Sequence, residues 1–488
     1  MKSIRIYHTH IEVSPYILGE AKNLETACSV WLDAEYRYDN LAYYYDSNNQ
    51  ILYLPRGISI PWLEKLFEVQ AVNVTEYDKF SKFTGVHMIA EPRDEIQRNA
   101  INFLMSKKNF STMDNSQLAL TLNTGDGKTF CTIYSIIKMR MKAIIITHVE
   151  NIRDQWYRSF LTFSDISEDR LMNIVGSNSI DSIMSGKKSA DIYFINHKTI
   201  TSYAQSHGWN SIHYFFMKIK VGVKVYDEAH LCFRNIIRTD MFSNVFKTFY
   251  LSATFDRSDD RESRIFKRAF SNVYRFGKGS DGYDEKEKNI VYVPMLYRSE
   301  MSDEWQTKCM TNYGFSFNRY LDIAININDK LINMVLIALQ TAIKFDGRIL
   351  ITTSTIDSIE YIYNCIAKLN IGRTIGKVHS MQDRSENLRV KNESDIIIST
   401  IKGNGTGSDI KNLRCIINIE SYSSPIMANQ LAGRLRPYGD HQDSYLFEIV
   451  DISHKSIESQ YKKRLKQLRL KCKDVKVLRV ESIFNPFY

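Results

Sequence analysis

Residues 118–129 read LALTLNTGDGKT: an apolar run, a polar loop holding Gly125 and Gly127, then Lys128 and Thr129. Beyond the loop, Phe130, Ile133, Tyr134 and Ile137 fall on one face at helical spacing, so the order is buried strand, loop, helix. Two glycines around Asp126 let the backbone approach an anion with no Cβ in the way, and the following helix adds unpaired N–H groups at its positive end. Such a loop cradles phosphates. Thr124, Gly125, Asp126 and Gly127 form its backbone, Lys128 is placed to meet β and γ phosphates, and the Thr129 hydroxyl to hold Mg²⁺. The strict pattern has a further glycine where this chain has Leu122.

Outward from the loop, AIIIT (143–147), IYFI (192–195), VKVY (223–226) and TFYL (248–251) alternate with helical stretches, the pattern of a parallel sheet wrapped by helices. A second set follows, RILITTS from 348, DIIIST from 395, CIINI from 415 and YLFEIV from 445, which predicts a second unit of the same kind. The polar, glycine-bearing GKGSDGYDEKEK (277–288) reads as the connection between them. Ahead of both, the β-like runs 34–38, 42–45 and 51–54, the turn-forming DSNN (46–49) and a helix over 61–69 predict a small α+β domain. The expected division is 1–85, 86–280, 281–454 and a basic segment 455–488. Between Lys455 and Arg479, ten basic residues face only Glu458 and Asp474, nearly the whole surplus of 64 Lys and Arg over 55 Asp and Glu. A basic helix packed by one apolar face, with Lys462, Lys463, Arg464, Lys466 and Arg469 gripping phosphates, is one reading; a solvated helix whose lysines confer solubility is the other.

At the end of VKVY stands Asp227-Glu228-Ala229-His230. A carboxylate at the C-terminal end of a strand beside a phosphate loop can reach magnesium through water, and its neighbour can orient or deprotonate an attacking water. Asp227 takes the first role and Glu228 the second.

With these two motifs in order, the sequence resembles the superfamily 2 helicases and translocases. The resemblance implies an α/β fold: two tandem RecA-like parallel-sheet domains with a small N-terminal α+β domain and a basic helical C-terminal tail. It implies ATP and Mg²⁺ as cofactors. Gln97, with Arg93 upstream, resembles the adenine-reading glutamine. Ala143 to Trp156 resembles the segment that crosses a nucleic-acid backbone, implying contacts from Thr147, Gln155 and Trp156, although His148 stands where proline is common. Ser252-Ala253-Thr254 matches the motif that couples hydrolysis to movement, with His230 as its partner in coupling. TIKGNGTGSD (400–409) resembles the fifth motif, implying a nucleic-acid phosphate contact from Thr400 and a nucleotide contact from Asp409. QLAGRLR (430–436) resembles the sixth, implying catalytic contacts to ATP from Gln430, Arg434 and Arg436. The two arginines are two residues apart, with Pro437 in the usual second place; Arg436 is favoured for the γ-phosphate, with Arg434 beside it.

The segment AEYRYDNLAYYYDSNNQILYLPRG (34–57) resembles the leading domain of phage branch-migration helicases. That implies an enzyme remodelling branched or forked DNA by branch migration or fork and R-loop processing, in phage-type replication, recombination and repair. Replication or recombination proteins are its expected partners, and no oligomer is implied. A half-buried hairpin in which Tyr36, Tyr38, Tyr43 and Tyr45 are strand-face residues is the plainer alternative; an RNA helicase or double-stranded DNA translocase with the same engine is the alternative function. No apolar run approaches the ~18 residues that span a bilayer, and no secretory signal is visible at the start. The seven cysteines are scattered, an expectation of a reducing compartment with neither zinc site nor disulfide framework. The expected location is the cytoplasm, the host's if the protein is phage-encoded.

Overall fold

The apolar runs around the phosphate-loop segment become neighbouring strands of one sheet in the computed structural model, which describes all residues but 33–36, 40, 107–115, 124, 253–259, 284–287, 313, 370, 402–409, 436–442 and 488. The chain divides into two compact units, Met1–Glu285 and Lys286–Tyr488. The division falls within the polar stretch expected to be a connection.

The first unit holds a seven-stranded sheet in the order Leu171–Ile174, Ile192–Asn196, Ala143–Thr147, Val223–Tyr226, Lys247–Leu251, Gln117–Thr121, Tyr274–Gly277, every pair parallel. Strands 143–147, 192–196, 223–226 and 247–251 are buried at every position, because helices cover both faces and each residue must be apolar or internally paired. The chain leaves strand 117–121 and re-enters the sheet at 143–147, three positions along and past strands 247–251 and 223–226, so the strand ends between them open a crevice of the kind that receives ligands in such sheets. Phosphate loop and DEAH segment both emerge there.

Residues 1–85 build the small mixed sheet expected of an N-terminal α+β segment, packed within the first unit. Their five-stranded sheet, ordered Tyr44–Asp46, Ile51–Pro55, His10–Ser14, Ser3–Ile6, Ala71–Asn73, shares a core with one face of the large sheet: Ile4, Leu52 and Leu54 belong to the same buried cluster as Ile144, Tyr226 and Phe233. The attachment runs through helices Phe233–Met241 and Asp260–Ala269. Gly57 donates its N–H to Ala269 O (3.2 Å), and a Cβ at Gly57 would come within 2.4 Å of that oxygen, so only glycine permits the approach. Arg238 donates to Tyr43 O and lies 4.9 Å over the Tyr44 ring, while Tyr44 and Tyr53 pack on Phe242. Tyr43 and Tyr45 are half-buried, as the plainer hairpin reading expects; Tyr36 lies outside the described residues. Asp46 closes the expected turn by accepting from the N–H groups of Asn48 and Asn49, and the helix expected over 61–69 runs Ile60–Phe67.

The second unit is built on an all-parallel sheet ordered Ile375–Val378, Ile396–Thr400, Arg348–Thr353, Leu413–Asn418, Ser444–Asp451, Ile290–Tyr297, Asp474–Val475, with Leu478–Arg479 also on strand 290–297. The segment expected to be a tail is part of this unit. Helix Lys455–Lys471 buries Ile457, Tyr461, Arg464 and Leu468, one stripe at helical spacing, while Leu470 is 68% exposed. Beyond it, Lys473 and Lys476 donate their N–H groups to strand 290–297. No helix among the described residues is long and apolar enough to cross a membrane.

Candidate active site

Strand 117–121 delivers the loop, and Gly125 (φ 94°) and Gly127 (φ 93°) take left-handed backbone before helix Lys128–Met139. A Cβ at Gly127 would lie 2.3 Å from Gln97 Nε2, so the loop is closed against the glutamine as well as turned by glycine. Gln97 is buried. Its Oε1 accepts from Arg93 N–H (2.8 Å) and its Nε2 donates to Asp126 O (3.2 Å), which fastens the segment before helix Glu95–Met105 to the loop. On the other side, Asn123 Nδ2 donates to the Tyr283 hydroxyl (2.6 Å), which donates to Asp126 Oδ2 (3.1 Å). Lys128 Nζ donates to Leu122 O (2.9 Å) and Asn123 O (3.3 Å), the carbonyls entering the loop.

Strand 223–226 delivers Asp227 and Glu228, the latter with φ 48°, a left-handed conformation that costs a residue other than glycine about 1–2 kcal/mol. Asp227 is held at both oxygens: Trp156 Nε1 donates to Oδ2 (2.8 Å) and the Glu228 N–H to Oδ1 (3.0 Å). Glu228 is partly buried. Burial first, and the Asp227 charge second, push its carboxyl above the ordinary range, while the Lys128 ammonium opposes them. The three charges therefore act on one another. His148, adjoining the same acidic group, has its imidazole pushed down by burial against the pull of Asp227. His230 is buried, its Nδ1 2.8 Å from Ser252 Oγ and 3.3 Å from Glu228 Oε2. Ala229 N–H bonds Leu251 O and Ser252 N–H bonds Leu120 O, so the DEAH segment, the serine and the phosphate-loop strand are stitched edge to edge.

These residues fit a magnesium nucleotide. Hard oxygen donors stand at Asp227 and Thr129, the type Mg²⁺ selects with water and phosphate completing its shell, and the left-handed glycines leave the loop N–H groups unshielded by a Cβ.

Several expected residues stand elsewhere. Trp156 is 1% exposed and spends its N–H on Asp227, so it is a support of the acidic site and offers no face to a base. Thr147 is fully buried, its hydroxyl donating to Asn196 Oδ1 (2.8 Å), which removes it from any backbone-gripping surface. Gln155 is exposed. Arg464 is 2% exposed and bonded by Nε to Glu448 Oε1 (2.5 Å), so it is a core ion pair and not a phosphate grip; burying it unpaired would cost several kcal/mol. Its neighbours Lys462 and Lys463 are exposed, as are Lys466 and Arg469. In the second unit, Gln430 lies on helix Pro425–Ala432, Arg434 follows that helix, and Thr400 closes strand 396–400. Thr124, Thr254, Asp409 and Arg436 lie outside the described residues. Sequence reading missed Tyr283 and the Trp156 support; a lone tyrosine in an otherwise polar connection was the available signal for the first.

Fold and site together define a nucleotide-hydrolysing enzyme on two RecA-like parallel-sheet units. A family model described as type III restriction enzyme, res subunit, matches residues 90–257, and the helicase conserved C-terminal domain matches 328–437, together more than half of the chain. The protein named "Putative helicase 161L" of Invertebrate iridescent virus 6 is 25% identical over 409 residues, 79% of this chain and 81% of that one. The structure of Mss116p bound to ssRNA and AMP-PNP has a TM-score of 0.53 at 14% identity, covering 79% of this chain and 74% of that one. The crystal structure of T4 UvsW covers 98% of this chain and 99% of its own at 14% identity, with a TM-score of 0.36, too low to argue from. The chain belongs to the superfamily 2 helicases and is an ATP-hydrolysing helicase of that class.

Proposed function

We propose that this helicase uses ATP hydrolysis to remodel branched or forked DNA. The observation that carries the catalytic part is the convergence of Lys128, Asp227 and Glu228 at the strand ends of the first unit, where a carboxyl raised by burial and by a neighbouring carboxylate, and lowered by a loop lysine, sits among the charges that nucleotide hydrolysis needs. Lys128 leaves the Leu122 and Asn123 carbonyls to meet phosphate oxygens. Asp227, fixed by Trp156, would hold Mg²⁺ together with the Thr129 hydroxyl, and Glu228 is placed to take the proton of the attacking water. Bound Mg²⁺ neutralises charge on the phosphates. Arg434 and Arg436 are the arginines that the helicase resemblance assigns to ATP, and an arginine on the transferring phosphate typically contributes about 10³–10⁵ in rate.

Branched DNA is favoured by the resemblance of residues 34–57 to phage branch-migration enzymes. In branch migration each base pair broken is replaced by another, and a mean stacking of ~1.4 kcal/mol per step is largely returned, so a small engine supplies direction more than melting energy. Four-way junctions, forks, linear duplex DNA and RNA duplexes tested side by side decide the substrate. Unwinding of forks and junctions above linear duplex is the expected result; activity confined to RNA refutes it.

A further inference from the structure

We propose that helix Lys455–Lys471 is a positioning element for Arg434, acting through the two ends of helix Pro425–Ala432. This rests on the reading of Arg434 as a residue that meets nucleotide, and deepens it.

The inner face of the basic helix makes its polar contacts on either side of that shorter helix. Before it, Arg464 Nη1 donates to Tyr422 O and to Ser421 Oγ (3.3 Å), with its guanidinium 5.1 Å over the Tyr422 ring. Ser421 Oγ in turn donates to Gln460 Oε1 (2.7 Å), one turn earlier on the basic helix. Arg464 is held by Glu448, which also accepts from the Tyr292 hydroxyl, so the anchor for Ser421 and Tyr422 is a buried pair with little freedom to move. At the far end, Lys471 Nζ donates to Asn429 O (2.8 Å), a carbonyl of the last turn, where a cation also meets the negative end of the helix dipole. Gly433 N–H bonds the same carbonyl, and Arg434 N–H bonds Leu431 O. Arg434 thus departs from a helix end that Lys471 caps. The sequence places its most concentrated positive charge here, yet Arg464 and Lys471 face inward while Lys462 and Lys463 face solvent. One helix therefore carries two populations of cations.

The test uses Lys471→Met, Arg434→Ala and the double variant in the full chain, reading kcat and KM of DNA-stimulated ATP hydrolysis and the salt dependence of DNA binding. Lys471→Met is expected to lower kcat about tenfold, the worth of one hydrogen bond to a charged donor, with KM for ATP and the salt slope unchanged. Lys471→Arg restores most of the rate. In the Arg434→Ala background, Lys471→Met adds less than about a twofold further loss, because both changes act through one residue. A full tenfold loss in that background would mean the lysine acts on the fold at large and would overturn the proposal. So would an unchanged kcat with a flattened salt slope, the behaviour of a phosphate grip. If Arg434→Ala itself keeps full kcat, the reading of Arg434 fails and this proposal with it; if only Lys471→Met is without effect, this proposal fails alone.

Discussion

Trp156→Phe separates a supporting tryptophan from a stacking one. The substitution keeps an aromatic ring in a site that is 1% exposed and removes the N–H that donates to Asp227 Oδ2 at 2.8 Å. A hydrogen bond to a charged group contributes about 1.5–3 kcal/mol, and shrinking indole to benzene in a packed core costs about 1 kcal/mol more. Asp227 keeps its second donor, the Glu228 N–H, so the carboxylate is loosened rather than released. If the lost orientation is felt in the transition state, at about 1.4 kcal/mol per factor of ten, kcat falls roughly 10- to 100-fold. The Mg²⁺ concentration for half-maximal ATP hydrolysis rises with it. Single-stranded DNA affinity, read by fluorescence anisotropy without nucleotide, stays within twofold of wild type. A base-stacking tryptophan is worth about 1–3 kcal/mol of nucleic-acid affinity. Unchanged kcat with DNA binding weakened tenfold or more would refute the assignment.

Gly127→Ala places a Cβ 2.3 Å from Gln97 Nε2 at φ 93°, so nucleotide binding measured by calorimetry is expected to drop at least tenfold, with recovery of part of it in Gly127→Ala/Gln97→Ala. Lys462→Ala/Lys463→Ala, both at exposed positions, is expected to reduce the slope of log affinity against log salt by about 0.7 per lysine if they touch a single strand, with no change in thermal unfolding. Arg464→Met, by contrast, strands Glu448 in the core and is expected to lower stability by about 3–5 kcal/mol in a denaturant titration. Lys247 is buried with its Nζ on Leu104 O and Ser106 O, and burial pushes it down to about 8. Between there and an unfolded value of about 10.4 the unfolded chain binds more protons, so stability rises with pH across that window and the penalty is fully present below it. Lys247→Met removes this rise, about 3 kcal/mol in the difference between the two proteins' pH profiles.

Strands buried on both faces were readable because nothing but apolar runs can fill them: 143–147, 192–196 and 223–226 fall where AIIIT, IYFI and VKVY stand. Strand 290–297 was not expected, since Pro294 interrupts it. Its ladder on that side is carried by 474–475 against Val291 and Tyr292 and by 478–479 against Met295 and Leu296, which leaves the proline where no N–H is required. The edge strand 171–174, with Asn173 in its middle, carries too little apolar pattern to be recognised. The phosphate loop and DEAH segment were legible as local patterns. Trp156 was not, because its bond to Asp227 spans 71 residues and exists only once strands 143–147 and 223–226 are neighbours. Arg464 was misread by counting charge along the helix. Direction mattered more: Ile457, Tyr461, Arg464 and Leu468 share one stripe, and an arginine inside an apolar stripe points to a buried partner.

The central claim is that the phosphate loop and the DEAH carboxylates form one hydrolytic centre driven by DNA. Steady-state ATP hydrolysis by wild type and Glu228→Gln, each with and without forked DNA, tests it most directly. Wild type is expected to accelerate on DNA, while Glu228→Gln still binds ATP and forked DNA yet turns over at least about 100-fold more slowly. A Glu228→Gln variant that hydrolyses ATP at the wild-type rate, or a wild type indifferent to DNA, would contradict the account.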